Sequence, residues 1–290
     1  MLNFTWRLFK NSVSKFINDR GARLGAALAF YTTFSVAPLL VISIGIASLF
    51  FGTDAVQGQL KQQLNGLIGE DSAQGIQAMI TAATKEQRVG VVSSMLGVVA
   101  LLFGATGVFV ELKDSMNTIW GVKLKPGMGI WGLLKDRALS FAMVLSIGVL
   151  LLISLCLSTL LSAIGHWIDL SLMSPRIVDF VSTSIVIPLL FMFIFKFLPD
   201  AEVQWRDVWI GAVVTSLFFT FGRYLISLYL VNAAVSSAYG AAGSLAVFLL
   251  WTYYSSQILF FGAEFTQVYA QLRGHHIVPA PHAVALKSEE

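Results

Sequence analysis

The sequence predicts an all-α, polytopic membrane protein with six transmembrane helices, an N-terminal interfacial amphipathic helix and an amphipathic outer loop. Three observations carry this reading. Hydrophobic residues make up 56% of the 290 residues and charged ones only 12%, about half the charged share usual in soluble domains. Six apolar runs are long enough to cross a bilayer, which takes about 20 residues of helix. The basic residues are segregated between alternate connections, as membrane loops require.

Residues 1–23 come first. Leu2, Trp6, Phe9, Val13, Phe16 and Ile17 recur at helical spacing, with Arg7, Lys10, Asn11, Ser14 and Asn18 on the other face. That pattern describes a helix lying in the membrane interface with its cations near anionic headgroups.

The first span covers 24–51. It is too long for a signal-peptide core and lacks a small-residue cleavage site, so it is read as retained. Gly21, Gly25, Ala29, Thr33 and Ala37 form a ladder of small residues four apart, which lets another helix approach closely. Pro38 removes the hydrogen bond to the carbonyl of Phe34 and marks a helix kink, with Ser35 placed to satisfy a freed group.

In the outer loop, 52–88, Val56, Leu60, Leu64, Leu67 and Ile68 form one apolar stripe, and Ile76, Met79, Ile80 and Ala83 another. Two short amphipathic helices follow, capping the bundle or lying on the membrane. The second span, 89–110, ends at Glu111, Lys113 and Asp114, read as a solvated helix end. The third, 138–164, holds the single cysteine, Cys156, which excludes a disulfide framework or cysteine metal site. The fourth, 177–198, contains Pro188 as a second kink. The fifth covers 208–231 and the sixth 244–270, joined by "VNAAVSSAYGAAGS" with turn freedom at Gly240 and Gly243. Residues 271–290 form a polar tail.

Six spans place both termini on one side. Fourteen basic residues fall on that side and four on the other, with Arg223 inside a span. The expectation is a bacterial inner (plasma) membrane protein, multi-pass, with cytoplasmic termini.

Arg223 and Glu264 do not belong in lipid. A charge at the bilayer centre costs at least about 2.5–3.5 kcal/mol, so such residues face the bundle or a wet cavity. By helical rise they sit about 13 Å apart in depth, which argues against a direct pair. Arg223 matches the depth of Trp251, Tyr253 and Tyr254, whose ring faces and hydroxyls suit a guanidinium. Glu264 matches Tyr31, Thr32 and Thr33, whose hydroxyls can donate to a carboxylate. Each residue is either helix–helix glue or part of a substrate pathway.

The stretches "ALAFYTTFSVAPLLVI", "WRDVWIGAVV" and "YGAAGSLAVFLLWTYYSSQILFFGAEFTQ" resemble the YihY/BrkB family of bacterial inner-membrane proteins. The motif residues are Tyr31, Phe34, Ser35, Pro38, Tyr239, Gly240, Gly243, Trp251, Tyr253, Gly262 and Glu264. "ELKDSMNTIWGVK" is similar to the family's segment between the second and third spans, with Asn117 and Trp120 in place. The resemblance implies no settled activity: members have been labelled ribonuclease BN, a serum-resistance factor and candidates for moving envelope lipids.

The residues decide among these labels. A ribonuclease needs metal-ligating or acid–base side chains at an aqueous face. The histidines His166, His275, His276 and His282 carry no such spacing, so no enzyme, catalytic residue, metal, cofactor or nucleic-acid partner is expected. Two isolated charges are sparse for a proton-driven pump of small solutes. They suit a transporter-like protein moving lipids or other amphiphiles between leaflets or towards the outer envelope, with membrane lipids as partners. A homo-oligomer or an envelope protein partner is compatible with this. The alternative is a membrane scaffold or adaptor with both charges fully satisfied and no cavity open to a leaflet.

Overall fold

The computed structural model describes residues 2–52, 91–125, 175–232, 243–275 and 277–286, with scattered residues between 56 and 81. Helix α1 (Leu2–Asn18) leads into α2 (Gly21–Phe51), followed by α3 (Val91–Trp120), α4 (Pro175–Phe197), α5 (Trp205–Asn232) and α6 (Gly243–Leu272). Four short strands accompany them: β1 (Val122–Leu124), β2 (Ala201–Glu202), β3 (Val278–Pro279) and β4 (Ala283–Ala285). Among the described residues three helical stretches are long and apolar enough to cross a membrane: Gly21–Gly45, Trp205–Ile226 and Leu245–Leu272. They correspond to the first, fifth and sixth runs. The second run overlaps the first part of α3 and the fourth nearly coincides with α4, and the third lies outside the described residues. Pro38 and Pro188 are both carried inside continuous helices, α2 and α4.

Helix α6 is the centre of the packing, touching α1, α2, α3 and α5, while α2 also packs on α3 and α4 on α5. Two glycine-based contacts set its approach to α5. A Cβ on Gly211 of α5 would fall 1.8 Å from the Thr266 hydroxyl, and one on Gly262 of α6 would fall 2.1 Å from that of Thr215. Each threonine donates to the carbonyl of the glycine four residues before it, Thr215 to Gly211 at 2.7 Å and Thr266 to Gly262 at 2.6 Å. The same Gly-x-x-x-Thr unit thus occurs once on each helix, and each threonine fills the hollow left by the other helix's glycine. Close backbone approach with every hydroxyl satisfied is how apolar helices gain dispersion contact in lipid.

The ladder on α2 serves α6 in the same way. Ala29, Thr33 and Ala37 are buried, and a Cβ on Gly25 would meet the Gln257 side chain. Near the termini the core gathers Leu28, Met116, Phe195, Val208 and Phe260. At the opposite end Val56, Leu60, Ala73 and Ile76 of the outer loop pack with Leu39, Leu40, Ile44 and Phe248. The described part of the loop therefore covers the bundle; Leu67, Ile68, Met79 and Ala83 lie outside the described residues.

Helix α1 packs through Leu8 and Ser12, which are buried, whereas Trp6, Phe9 and Ile17 of its apolar stripe are exposed. The Ser12 hydroxyl donates to the carbonyl of Leu8, so a polar side chain sits in the contact at no hydrogen-bonding loss. One expectation is corrected: the fold is not purely helical. Residues after α6 form antiparallel pairs, β4 with β1 and β3 with β2. Pro279 and Pro281 keep this segment out of a helix, and its extended backbone supplies partners for exposed groups at helix ends. Leu286 N–H donates to Gly121 and Ala280 N–H to Asp200.

Candidate functional site

The bottom of α6, where α1 crosses it, holds the first polar cluster. Glu264 is completely buried, and neither carboxyl oxygen accepts a hydrogen bond from a donor among the described residues. The side chains acting on it are Asp19, within hydrogen-bonding reach, and Lys15, both from the end of α1. The Lys15 ammonium donates instead to the side-chain carbonyl of Gln267. Beside them opens a groove of about 270 Å³ lined by Asn11, Ser14, Lys15, Val268, Gln271 and Leu272.

The hydroxyls expected to meet Glu264 do not do so. Thr32 donates to the Leu28 carbonyl and Thr33 to that of Ala29, both within α2. Tyr31 is 42% exposed and lies edge-on to Phe30. Ser35 is buried and borders Gly107 of α3, as does the Tyr31 ring. The reason is local: a helical threonine always has the carbonyl four residues back within reach, and no interhelical acceptor competes with it.

Arg223 and Glu264 occupy separate places. Arg223 lines a narrow crevice with Phe219, Ile226, Trp251, Tyr254, Ser255 and Ile258. Tyr253 does not line that crevice. The Tyr254 hydroxyl lies over Gly222, where a Cβ would approach it to 2.5 Å.

A second polar cluster joins the ends of α3 and the α4–α5 connection to the C-terminal segment. Asp200, 5% exposed, accepts a hydrogen bond from the Asn117 amide at 2.9 Å and pairs with Lys113 at 3.0 Å. His282 Nε2 lies 2.8 Å from its other oxygen, and the Asp200 N–H donates to the Asn117 side-chain carbonyl at 2.8 Å. Burial alone would raise the Asp200 pKa, but hydrogen bonds from His282, Asn117 and Lys113 outweigh it and hold the carboxyl below its ordinary value. A parallel contact places His275 Nδ1 2.7 Å from Asp207, an acid in the first turn of α5, where the helix N-terminus favours negative charge.

These residues correct two readings: Lys113 is buried rather than part of a solvated helix end, and the polar tail is a docked segment. Sequence reasoning passed over Asp200 and Asp207, and took His275 and His282 as part of a polar tail. The available signal was a pair of buried-type acids flanking a short connection, "PDAEVQWRD", and a histidine between prolines and an alternating "AVA". Among the described residues no group of three or more His, Cys, Asp or Glu side chains gathers as a metal site.

The comparisons agree with the motifs. The chain matches the family described as Virulence factor BrkB over residues 12–287. Relatives include UPF0761 membrane proteins of Teredinibacter turnerae, 29% identical over 93% of this chain and 61% of the relative, and of Methylibium petroleiphilum, 26% identical over 92% and 63%. A third, from Rhodospirillum centenum, is 25% identical over 92% of this chain and 58% of its own length. The chain thus spans about three fifths of the curated relatives it matches. No solved structure matches it. Motifs in the first and last spans and a match from the end of α1 through the docked C-terminal segment lead to one conclusion: the chain belongs to the BrkB family of membrane proteins.

Proposed function

We propose that the protein moves lipids or related amphiphiles, and that the groove between α1 and α6 receives their anionic headgroups. The groove carries the reading: it presents a lysine, an asparagine, a serine and a glutamine beside a helix whose Trp6, Phe9 and Ile17 are exposed. A headgroup bonded there leaves its acyl chains against those apolar side chains, as at an interfacial helix. In this reading six helices cross the inner membrane, both termini face the cytoplasm and α1 lies along the inner leaflet. The chain is a transporter-like protein rather than an enzyme, its partners are membrane lipids, and it works alone, as a homo-oligomer or with an envelope protein.

A scaffold role is favoured by one observation. Glu264 is fully buried, while Ser35 and the Tyr31 ring lie against Gly107 of α3. Reconstitution separates the two. Proteoliposomes with headgroup-labelled anionic or zwitterionic lipid and an impermeant quencher are expected to show faster exposure of inner-leaflet lipid than empty vesicles. Ser14→Trp, which fills the groove, is expected to bring the rate down to that of empty vesicles. Wild-type protein indistinguishable from empty vesicles for both lipid classes leaves the scaffold.

A further inference from the structure

We infer that Glu264 and Asp19 form a buried proton-binding site that seats α1 on α6. Three structural features carry it. Glu264 is fully buried and its oxygens have no donor among the described residues, although a buried acceptor without one costs about 1–3 kcal/mol or more when charged. The group within bonding reach is another carboxyl, that of Asp19. Two ionised carboxyls are acceptors only, so they cannot bond each other; one proton shared between them supplies the missing donor. The charge then balances locally: one proton on two carboxyls leaves a single negative charge opposite Lys15.

The charged groups acting on Glu264 are Asp19 and Lys15 of α1. The neighbouring α5 face is neutral, with Gly211 against Thr266 and Thr215 against Gly262. Lys15 is the counter-charge beside the two carboxyls. Asp19 is also the last residue before a hinge. Arg20, with φ 54°, adopts a left-handed conformation that non-glycine residues rarely occupy, and it separates α1 from α2. Loss of the shared proton leaves two negative charges against one positive charge around the fully buried Glu264. Their repulsion swings α1 about Arg20 and widens the groove lined by Asn11 and Gln271. The pair stands whether or not that groove takes a headgroup.

The test uses the full chain in lipid nanodiscs, with Cys156→Ala and spin labels introduced through Asn11→Cys and Gln271→Cys. The interlabel distance is expected to lengthen as pH is raised from mildly acidic to alkaline. In Glu264→Gln, where a neutral amide replaces the shared proton, the short distance is expected at every pH. Infrared difference spectra of the wild type should show a protonated-carboxyl band that disappears on alkalinisation and is missing in Glu264→Gln. Asp19→Asn, half-buried just beyond the end of α1, provides a second variant with the same expected loss of pH response. A wild-type distance that ignores pH overturns the inference, as does a carboxyl band that survives in both variants.

Discussion

Asp200→Ala is expected to release the C-terminal segment and to destabilise the protein by about 3 kcal/mol, the lower end of the cost of breaking a buried ion pair. The substitution removes the acceptor for Asn117 at 2.9 Å and for His282 at 2.8 Å, and strips Lys113 of its 3.0 Å ion pair. Lys113 is buried, so its charge must then be met by its remaining contacts or drag the end of α3 towards water. Asp200→Asn keeps the shape and part of the hydrogen bonding, and a smaller loss is expected. The pH dependence has a definite sign. Because hydrogen bonding to His282, Asn117 and Lys113 overcomes burial and lowers the Asp200 pKa, its contribution is complete above the ordinary aspartate value of about 3.9. It is lost as pH falls through the lower folded value. Thermal unfolding in detergent, with limited proteolysis of residues after Leu272, measures both effects. An unchanged midpoint with a protected C-terminal segment in Asp200→Ala would show that the cluster contributes nothing.

Gly262→Ala and Gly211→Ala are each expected to lower stability by about 1–3 kcal/mol through overpacking, although alanine is the better helix former by about 1 kcal/mol. The sign follows from what the new methyl meets. At Gly262 it falls 2.1 Å from the Thr215 hydroxyl and 2.8 Å from the Thr215 Cβ. A rotamer change cannot move that Cβ, so the helices themselves must separate. Gly45→Ala is the control: a Cβ there meets nothing within 4 Å, and a neutral or slightly stabilising result is expected. Adding Thr215→Ala to Gly262→Ala removes the hydroxyl and the methyl but leaves the Cβ, so partial recovery is expected, and Thr215→Gly should recover more of the packing. Equal midpoints for the Gly262 and Gly45 variants would sink the interlocking account.

What the sequence disclosed follows from how far each signal reaches. Hydropathy accumulates along one helix, so the runs containing α2, α5 and α6 were visible residue by residue. The small-residue ladder from Gly21 to Ala37 was legible because its period of four belongs to one helix surface. Partner choice across helices was not. Depth matching put Arg223 at the level of Trp251 and Tyr254, which line the same crevice. It failed for Glu264, because Thr32 and Thr33 had carbonyls of their own helix available. Asp19 and Lys15 were missed because the stripe on α1 was read as its membrane-facing side, which does not tell what the opposite side packs against. Asp200 and His282 lie 82 residues apart, joined by an extended segment with two prolines and no helical period to announce where it docks.

That docking has a consequence for biosynthesis. Lys125 meets the carbonyl of Pro281 across 156 residues of chain, and ribosomes add about 5–20 residues per second. The end of α3 therefore leaves the ribosome roughly 8–30 s before its strand partner exists. Asp200, 83 residues after Asn117, is made about halfway through that interval, so Lys113 and Asn117 meet it before His282 exists. The nascent chain must be held by helix contacts alone or by the insertion machinery, and the clasp between α3 and the C-terminal segment closes last.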